Sequence, residues 1–334
     1  MVETLFSINP ALHVGSRINY SRPLLKCRGG GGSMRRVVVN MSLSHHHHHH
    51  HHNDHHNNQP YWAAINDQIQ AHLKKVVTVK DPVSVFEPMH HLVFSSPQDT
   101  APALCVAACD LVGGCGGGGG DQALAAAAAL QVIHAASFTH EYLPLSDRPS
   151  LLPRPGPGPV GHHAFGPNVE LLTGDGMVPF GLELVAKSDD PAQNSSNRIL
   201  LVIVEITRAI GSLGLVDGQY SELQCSKLDG FDGNGSWHME LINNTCEKKE
   251  GGFHACAAAC GAILGGGSEE EIEKLRRFGL YVGMIRGTLR RYSPEKRSKR
   301  VEELRNLALK ELEGFDEANV KAISSFVEGN LSYG

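Results

Sequence analysis

Along most of the chain, apolar residues return at the three- and four-residue steps of an α-helix. In YWAAINDQIQAHLKKVV, Trp62, Ile65, Ile69 and Leu73 share one face, which predicts an amphipathic helix beginning at Tyr61. VSVFEPMHHLVF follows Asp81-Pro82, a good N-cap and first-turn proline. PALCVAACDLV is a further helix, stopped by GGCGGGGG, because glycine holds a helical conformation only at high entropic cost. DQALAAAAALQVIHAASFTHEYL restarts with Asp121 as cap, and its alanines predict a helix packed tightly on its neighbours.

Proline and glycine alternate in PSLLPRPGPGPVG, Pro149 to Gly161, so this stretch is an extended surface loop. NVELLTGDGMVPFGLELVAKS and SSNRILLVIVEITRAIGSLG predict two more helices, the second capped by Ser195 or Ser196. LQCSKLDGFDGNGS is expected to be a loop, and WHMELINNTCEKKEGGFHACAAACGAIL a single long helix. EEEIEKLRRFGLYVGMIRGTLRRY opens on a capping box, Ser268 with Glu271. Two helices, SPEKRSKRVEELRNLALKELEGF and ANVKAISSFVEGNL, finish the pattern. No segment predicts a strand. The expected fold class is therefore all-α, a helical bundle over residues 61–334 with one core of roughly 270 residues.

Composition changes this picture mainly at the amino end. Residues 1–44 carry Arg17, Arg22, Lys26, Arg28, Arg35 and Arg36 against one acid, Glu3. That basic, acid-poor composition marks an organelle transit peptide, with a disordered basic tail as the alternative. A His/Asn-rich linker, 45–60, follows, with consecutive histidines from His45 to His52. Imidazoles there can take up metal adventitiously, but a tract without fixed geometry makes a poor catalytic site. The net charge of −5 supplies no basic field for nucleic acid. No uninterrupted apolar run reaches the roughly 20 residues that span a bilayer, since even ILLVIVEI, Ile199 to Ile206, contains Glu205. Neither nucleic acid nor membrane is expected as a partner. Eight cysteines without a secretory leader point to free thiols in a reducing compartment.

Four of those cysteines form two pairs, CVAAC (Cys105, Cys109) and CAAAC (Cys256, Cys260). A spacing of i to i+4 places each pair on one helix face. Small, polarizable cysteines among alanines let helices approach closely, so either stripe suits a partner surface. Buried core cysteines and a tetrathiolate zinc site are the alternatives. A disulfide within either helix would be strained, because the two Cβ vectors run parallel. Cys27, Cys115, Cys225 and Cys246 look incidental.

Several strings together, MHHLVF, LCVAACDLVGG, HAASFTHEYLP, LLTGDG, GLVDGQ and GAILGGGSEEEIEKLRRF, resemble the plant geranylgeranyl diphosphate synthases, trans-prenyltransferases of the isoprenoid-synthase fold. The resemblance runs from about Trp62 to about Arg291 and implies an antiparallel bundle of the isoprenoid-synthase type. In that family, two aspartate-rich motifs on facing helices hold magnesium, which neutralises the diphosphate as it leaves. Further cations hold isopentenyl diphosphate.

The chain departs from the family at each of these places. The first motif, Asp-Asp-Leu-Pro and a further Asp, becomes Glu141-Tyr142-Leu143-Pro144-Leu145-Ser146-Asp147. The paired aspartates of the second become Arg290 and Arg291. Exchanging attraction to a dication for repulsion is worth several kcal/mol per site, at an effective dielectric of about 20 and a separation near 4 Å. The cations of Gly-Gly-Lys-Arg-x-Arg-Pro align with Gln98, Asp99 and Ala101, which cannot grip a phosphate. His134, Gly174-Asp175, Gly218-Gln219 and Lys249 persist. His134 and Gln219 read as packing and hydrogen-bonding residues, and Lys249 as a charge on a solvated helix face, a phosphate contact being the other reading.

Within the family, noncatalytic plant small subunits also carry two CxxxC motifs, implicated in pairing with a catalytic large subunit. The resemblance thus implies a subunit with no prenyltransferase activity of its own, located in the plastid stroma. It implies a geranylgeranyl diphosphate synthase large subunit as partner, with product shifted towards geranyl diphosphate for monoterpene synthesis. Magnesium would be required by that partner and not bound by this chain. The alternative is a weak autonomous prenyltransferase using Glu141, Asp147 and Lys249.

Overall fold

A computed structural model of the chain describes residues 59–113, 120–144, 164–190, 195–228 and 236–328. The expected transit peptide 1–44, the linker 45–60 apart from Gln59 and Pro60, the loop Pro149 to Gly161, and Asp147, Cys27 and Cys115 lie outside the described residues. Among the described residues there is no strand, in agreement with the expected class.

The helices are α1 (Gln59–Val76), α2 (Val83–Ser95), α3 (Ala101–Gly113), α4 (Gly120–Glu141), α5 (Pro167–Lys187), α6 (Ser196–Ile210), α7 (Leu215–Leu228), α8 (Ser236–Thr245), α9 (Gly252–Gly265), α10 (Glu269–Arg291), α11 (Pro294–Glu311) and α12 (Glu317–Glu328). A π-helical turn, Cys246–Gly251, joins α8 to α9. The α1 face read from the sequence is buried, with Leu73 fully inside. The α10 capping box forms: the Glu271 N–H donates to Ser268 Oγ, and the Ser268 N–H donates to Glu271 Oε2 at 2.8 Å. α9 ends where Gly266 enters the left-handed region (φ 81°), and the Gly267 N–H then reaches the Ala262 carbonyl at 2.9 Å.

At the centre lies α9, buried from His254 to Leu264. It packs between α3 and α10, with α6 across it and α4 beside it. Small residues set these distances. A Cβ on Gly261 would stand 2.0 Å from the Cys105 carbonyl oxygen, and one on Gly283 would stand 2.1 Å from that of Glu250. Backbones touch directly at both places, which only glycine permits.

The structure corrects four readings of the chain pattern. The cap of α2 is Pro82 itself, with no side-chain cap bond, rather than Asp81. LQCSKLDGFDGNGS is not loop throughout, because α7 runs on to Leu228. The long helix expected before the second CxxxC is divided by the π-helical turn, which adds a residue to one turn and re-aims the side chains that follow. Among the described residues two helical stretches do reach membrane-spanning length and apolarity by length and composition alone, Gly120–Glu141 and Ser196–Cys225, the latter α6 taken together with most of α7. An unbroken-run criterion overlooks them, since isolated polar residues such as Glu205 lower a window average only slightly. The first is core, 72% of its window being buried, whereas only 22% of the second is.

Candidate functional site

Glu141 closes α4, Glu222 lies in the middle of α7, Lys249 and Glu250 ride on the π-helical turn, and Arg290 and Arg291 end α10. The bundle brings all six together. Lys249 Nζ donates to Glu141 Oε2 at 3.2 Å and to Glu222. Arg291 donates to Glu222 Oε1 through Nε (3.1 Å) and Nη2 (2.7 Å), and to Glu250 Oε1 through Nη1 at 2.9 Å. Arg290 Nη1 reaches the same Glu250 oxygen at 3.0 Å. Three cations therefore meet three carboxylates. Lys249 is 6% exposed, so the expectation of a solvated lysine is overturned: it is a buried charge, tolerable in the interior only because it is paired.

Burial by itself would raise the Glu222 pKa, but Lys249 and Arg291 outweigh it and bring the carboxyl down to about 2. Burial likewise works against the Arg291 charge, and Glu250 with Glu222 more than reverses this, raising its pKa. Tyr142, at the family's second acidic position, packs against Phe138 in a tilted ring pair with centroids 4.6 Å apart. Magnesium takes hard oxygen ligands. Here Glu141, Glu222 and Glu250 already accept from ammonium or guanidinium groups, and a dication would sit beside three positive charges. The described residues of this site do not fit magnesium.

The aligned diphosphate-gripping positions are also taken. Gln98 is exposed and Ala101 fully buried. Asp99 turns inward, where its Oδ1 accepts the Ala101 N–H at 2.8 Å and its Oδ2 lies 3.9 Å from Arg286 Nη2. His254 stands behind it, 3.4 Å from Oδ1. The His254 Nδ1 faces the Glu250 carbonyl at 2.8 Å, so Nδ1 carries the proton and Nε2 accepts from the Thr100 hydroxyl at 2.9 Å. Asp99 thus holds the start of α3 and repels a phosphate. Gln219 donates to Ser137 at 3.4 Å, the hydrogen-bonding role expected of it.

The cysteine stripes face inward. Cys105, Cys109, Cys256 and Cys260 are 0, 5, 3 and 0% exposed, in one cluster with Ile199, Val202 and Ile206 of α6. Cys256 and Cys260 sulfurs are 3.8 Å apart, and Cys260 Sγ is 3.9 Å from the Val202 carbonyl oxygen. The reading of either stripe as a flat outward face is corrected: each is spent on contact between α3, α9 and α6. Burial pushes the Cys105 thiol up and the Cys109 thiol to about 11. The hydrogen bond with Cys256, and then burial, raise Cys260. Among the described residues no group of three or more His, Cys, Asp or Glu is placed to hold a metal, which leaves the zinc alternative without a site.

The profile described as polyprenyl synthetase matches residues 83–285. The chain belongs to that family. Among curated polyprenyl synthetases, it is 51% identical over 272 residues to the chloroplastic heterodimeric geranylgeranyl pyrophosphate synthase small subunit 2 of Cannabis sativa, covering 80% of this chain and 91% of that one. The geranyl diphosphate synthase small subunit of Antirrhinum majus superposes with a TM-score of 0.70 at 49% identity, covering 82% of this chain and 99% of that one. A mint deletion mutant of a heterotetrameric geranyl pyrophosphate synthase, in complex with ligands, gives 0.68 at 48% identity, with 80% and 99% covered.

Sequence reading did not find Glu222, Glu250 and Arg286. A usable signal existed: arginines that replace aspartates at the inward-facing end of a helix need carboxylates close by if they are to be buried.

Proposed function

We propose that this polyprenyl synthetase homologue is the noncatalytic subunit of a heteromeric synthase, pairing with a catalytic geranylgeranyl diphosphate synthase large subunit and shifting its product towards geranyl diphosphate. The observation that carries the reading is Arg291 at the metal position, bonded to both Glu222 and Glu250. Among the described residues the carboxylates of this site are already ion-paired with Lys249, Arg290 and Arg291, which opposes recruitment of magnesium, and catalysis in this family depends on that recruitment. The names of the curated small-subunit relatives call them heterodimeric and chloroplastic; we assign this chain to the plastid stroma and leave magnesium to the partner.

Pairing has a surface to use. α6 seats Ile199, Val202 and Ile206 on the core and turns Leu200 (60% exposed) and Leu201 outward. Leu213, Val216 and Tyr220 continue the exposed apolar face into α7. A contiguous patch of this kind marks a protein contact. The CxxxC cysteines act on it from behind: Cys260 touches Val202, so the cysteine stripes fix how far α6 stands from α9. Docking then repositions the partner helices that line its elongation cavity, and the ten-carbon product leaves early.

Co-expression of the full chain with a chloroplastic large subunit, such as that of Arabidopsis thaliana, tests this. Expected are co-purification on a large-subunit tag, a rise in geranyl diphosphate from isopentenyl and dimethylallyl diphosphates, and no product from this chain alone. Product formed by this chain alone, or a failure to co-purify, overturns the reading.

A further inference from the structure

A groove of about 790 Å³ opens between α6, the α6–α7 connection, the π-helical turn, α9 and α10. Its size falls within the range of ligand pockets, on the order of 300–1,000 Å³. Its floor is made of small residues, Gly252, Ala255 and Cys256, which is why it has depth. Leu213 and Leu280 line it, and the Glu205–Arg276 ion pair closes one side. Leu213 is 85% exposed and also belongs to the apolar α6–α7 face, so the groove continues that face towards the interior.

We propose that this groove receives apolar side chains of the catalytic partner subunit, making the floor of α9 part of the docking surface. The inference rests on the partner reading above and adds a location to it. Two observations favour a protein occupant. The groove is continuous with an exposed apolar face, and its lining carries both signs of charge, Arg208, Lys248 and Arg276 with Glu205 and Glu247. A lining of mixed sign matches the polar rim of a protein contact. The geometry also connects the second CxxxC to the partner, because Cys256 is part of the floor and sets its depth.

Gly252 offers a clean probe. It has ordinary helical backbone angles, and a Cβ built on it meets only the Glu247 carbonyl oxygen, at 3.6 Å. Gly252→Phe fills the groove while the helix is kept, and Leu213→Asp removes the exposed lip should the first variant fold poorly. Lys299→Phe, on α11 with 89% of its side chain exposed, adds the same bulk elsewhere. With the Arabidopsis large subunit and full-length chains, both groove variants should weaken pairing at least tenfold in a titration, with unfolding temperatures near that of the parent, and Lys299→Phe should pair like the parent. Parent-like pairing by both groove variants overturns the groove and leaves the partner reading standing, whereas a parent chain that does not pair removes both. Flotation of the chain alone with anionic lipid vesicles, or a homodimer lost on Gly252→Phe, assigns the groove to a membrane or to a second copy and overturns the proposal as well.

Discussion

Glu222 shows what a single residue contributes to the filled site. Its carboxylate receives Lys249 from one side and Arg291 from the other, and its pKa stands at about 2 against an ordinary 4.5. A folded-state pKa below the unfolded value gives stability that is complete above the unfolded pKa and is lost as pH falls through the folded one. The window here runs from about 4.5 down to about 2. Glu222→Gln leaves Lys249 and Arg291 short of a charge partner, a change that costs roughly 3 kcal/mol near pH 7, at the low end for a broken buried pair. In urea unfolding from pH 7 to pH 3, the gap between the parent and Glu222→Gln should narrow steadily below about pH 4.5; a constant gap shows that the charge is not its source. The sequence made Lys249, Arg290 and Arg291 conspicuous, because they persist in or break a known pattern. It could not pair them, since Arg291 lies 69 residues from Glu222 and 41 from Glu250 and only the fold closes those separations.

At the scale of the element, spacing fixed which way each CxxxC points along its helix but not what it meets. The helix positions of Cys105, Cys109, Cys256 and Cys260 were legible. That their common neighbour is another part of the same chain was not, because the identity of a packing partner is tertiary information. Gly261 completes the arrangement directly after Cys260, and its missing side chain matters more than either thiol. Gly261→Val drives carbon into the Cys105 carbonyl, where a Cβ alone would stand at 2.0 Å, and should cost about 3 kcal/mol or more, the upper end for overpacking. Cys260→Ala removes one sulfur from a packed site and should cost about 1–2 kcal/mol. Denaturant midpoints of the two variants separate these effects, and an equal loss in both would mean that the thiol, not the close approach, holds α3 to α9. The π-helical turn was equally illegible: CEKKEG continues the helical pattern in composition, and the extra residue shows only in the backbone.

For the whole molecule, the class, the bundle and the family resemblance were all readable, because they rest on many positions at once: helical periodicity over most of the chain and six separate strings. The disposition of the emptied site was not, since losing ligands and replacing them with a closed ion-pair network look alike in one dimension. The distinction has a physical consequence. A site that had merely lost ligands would keep some affinity for a dication through its remaining carboxylates; one whose carboxylates are already matched in charge by Lys249, Arg290 and Arg291 opposes it. A ligand that binds only the folded state raises stability by about 2.7 kcal/mol at a hundredfold excess over its dissociation constant. Titrating the full-length chain with magnesium, alone and with an allylic diphosphate, should therefore leave its unfolding temperature unchanged. Arg290→Asp with Arg291→Asp, which restores the family's acids but leaves Lys249 and the altered Asp99 end in place, should still yield no product. A magnesium-dependent rise in the parent's unfolding temperature would show that the network opens to admit the ion, and the chain would then have to be treated as a weak enzyme.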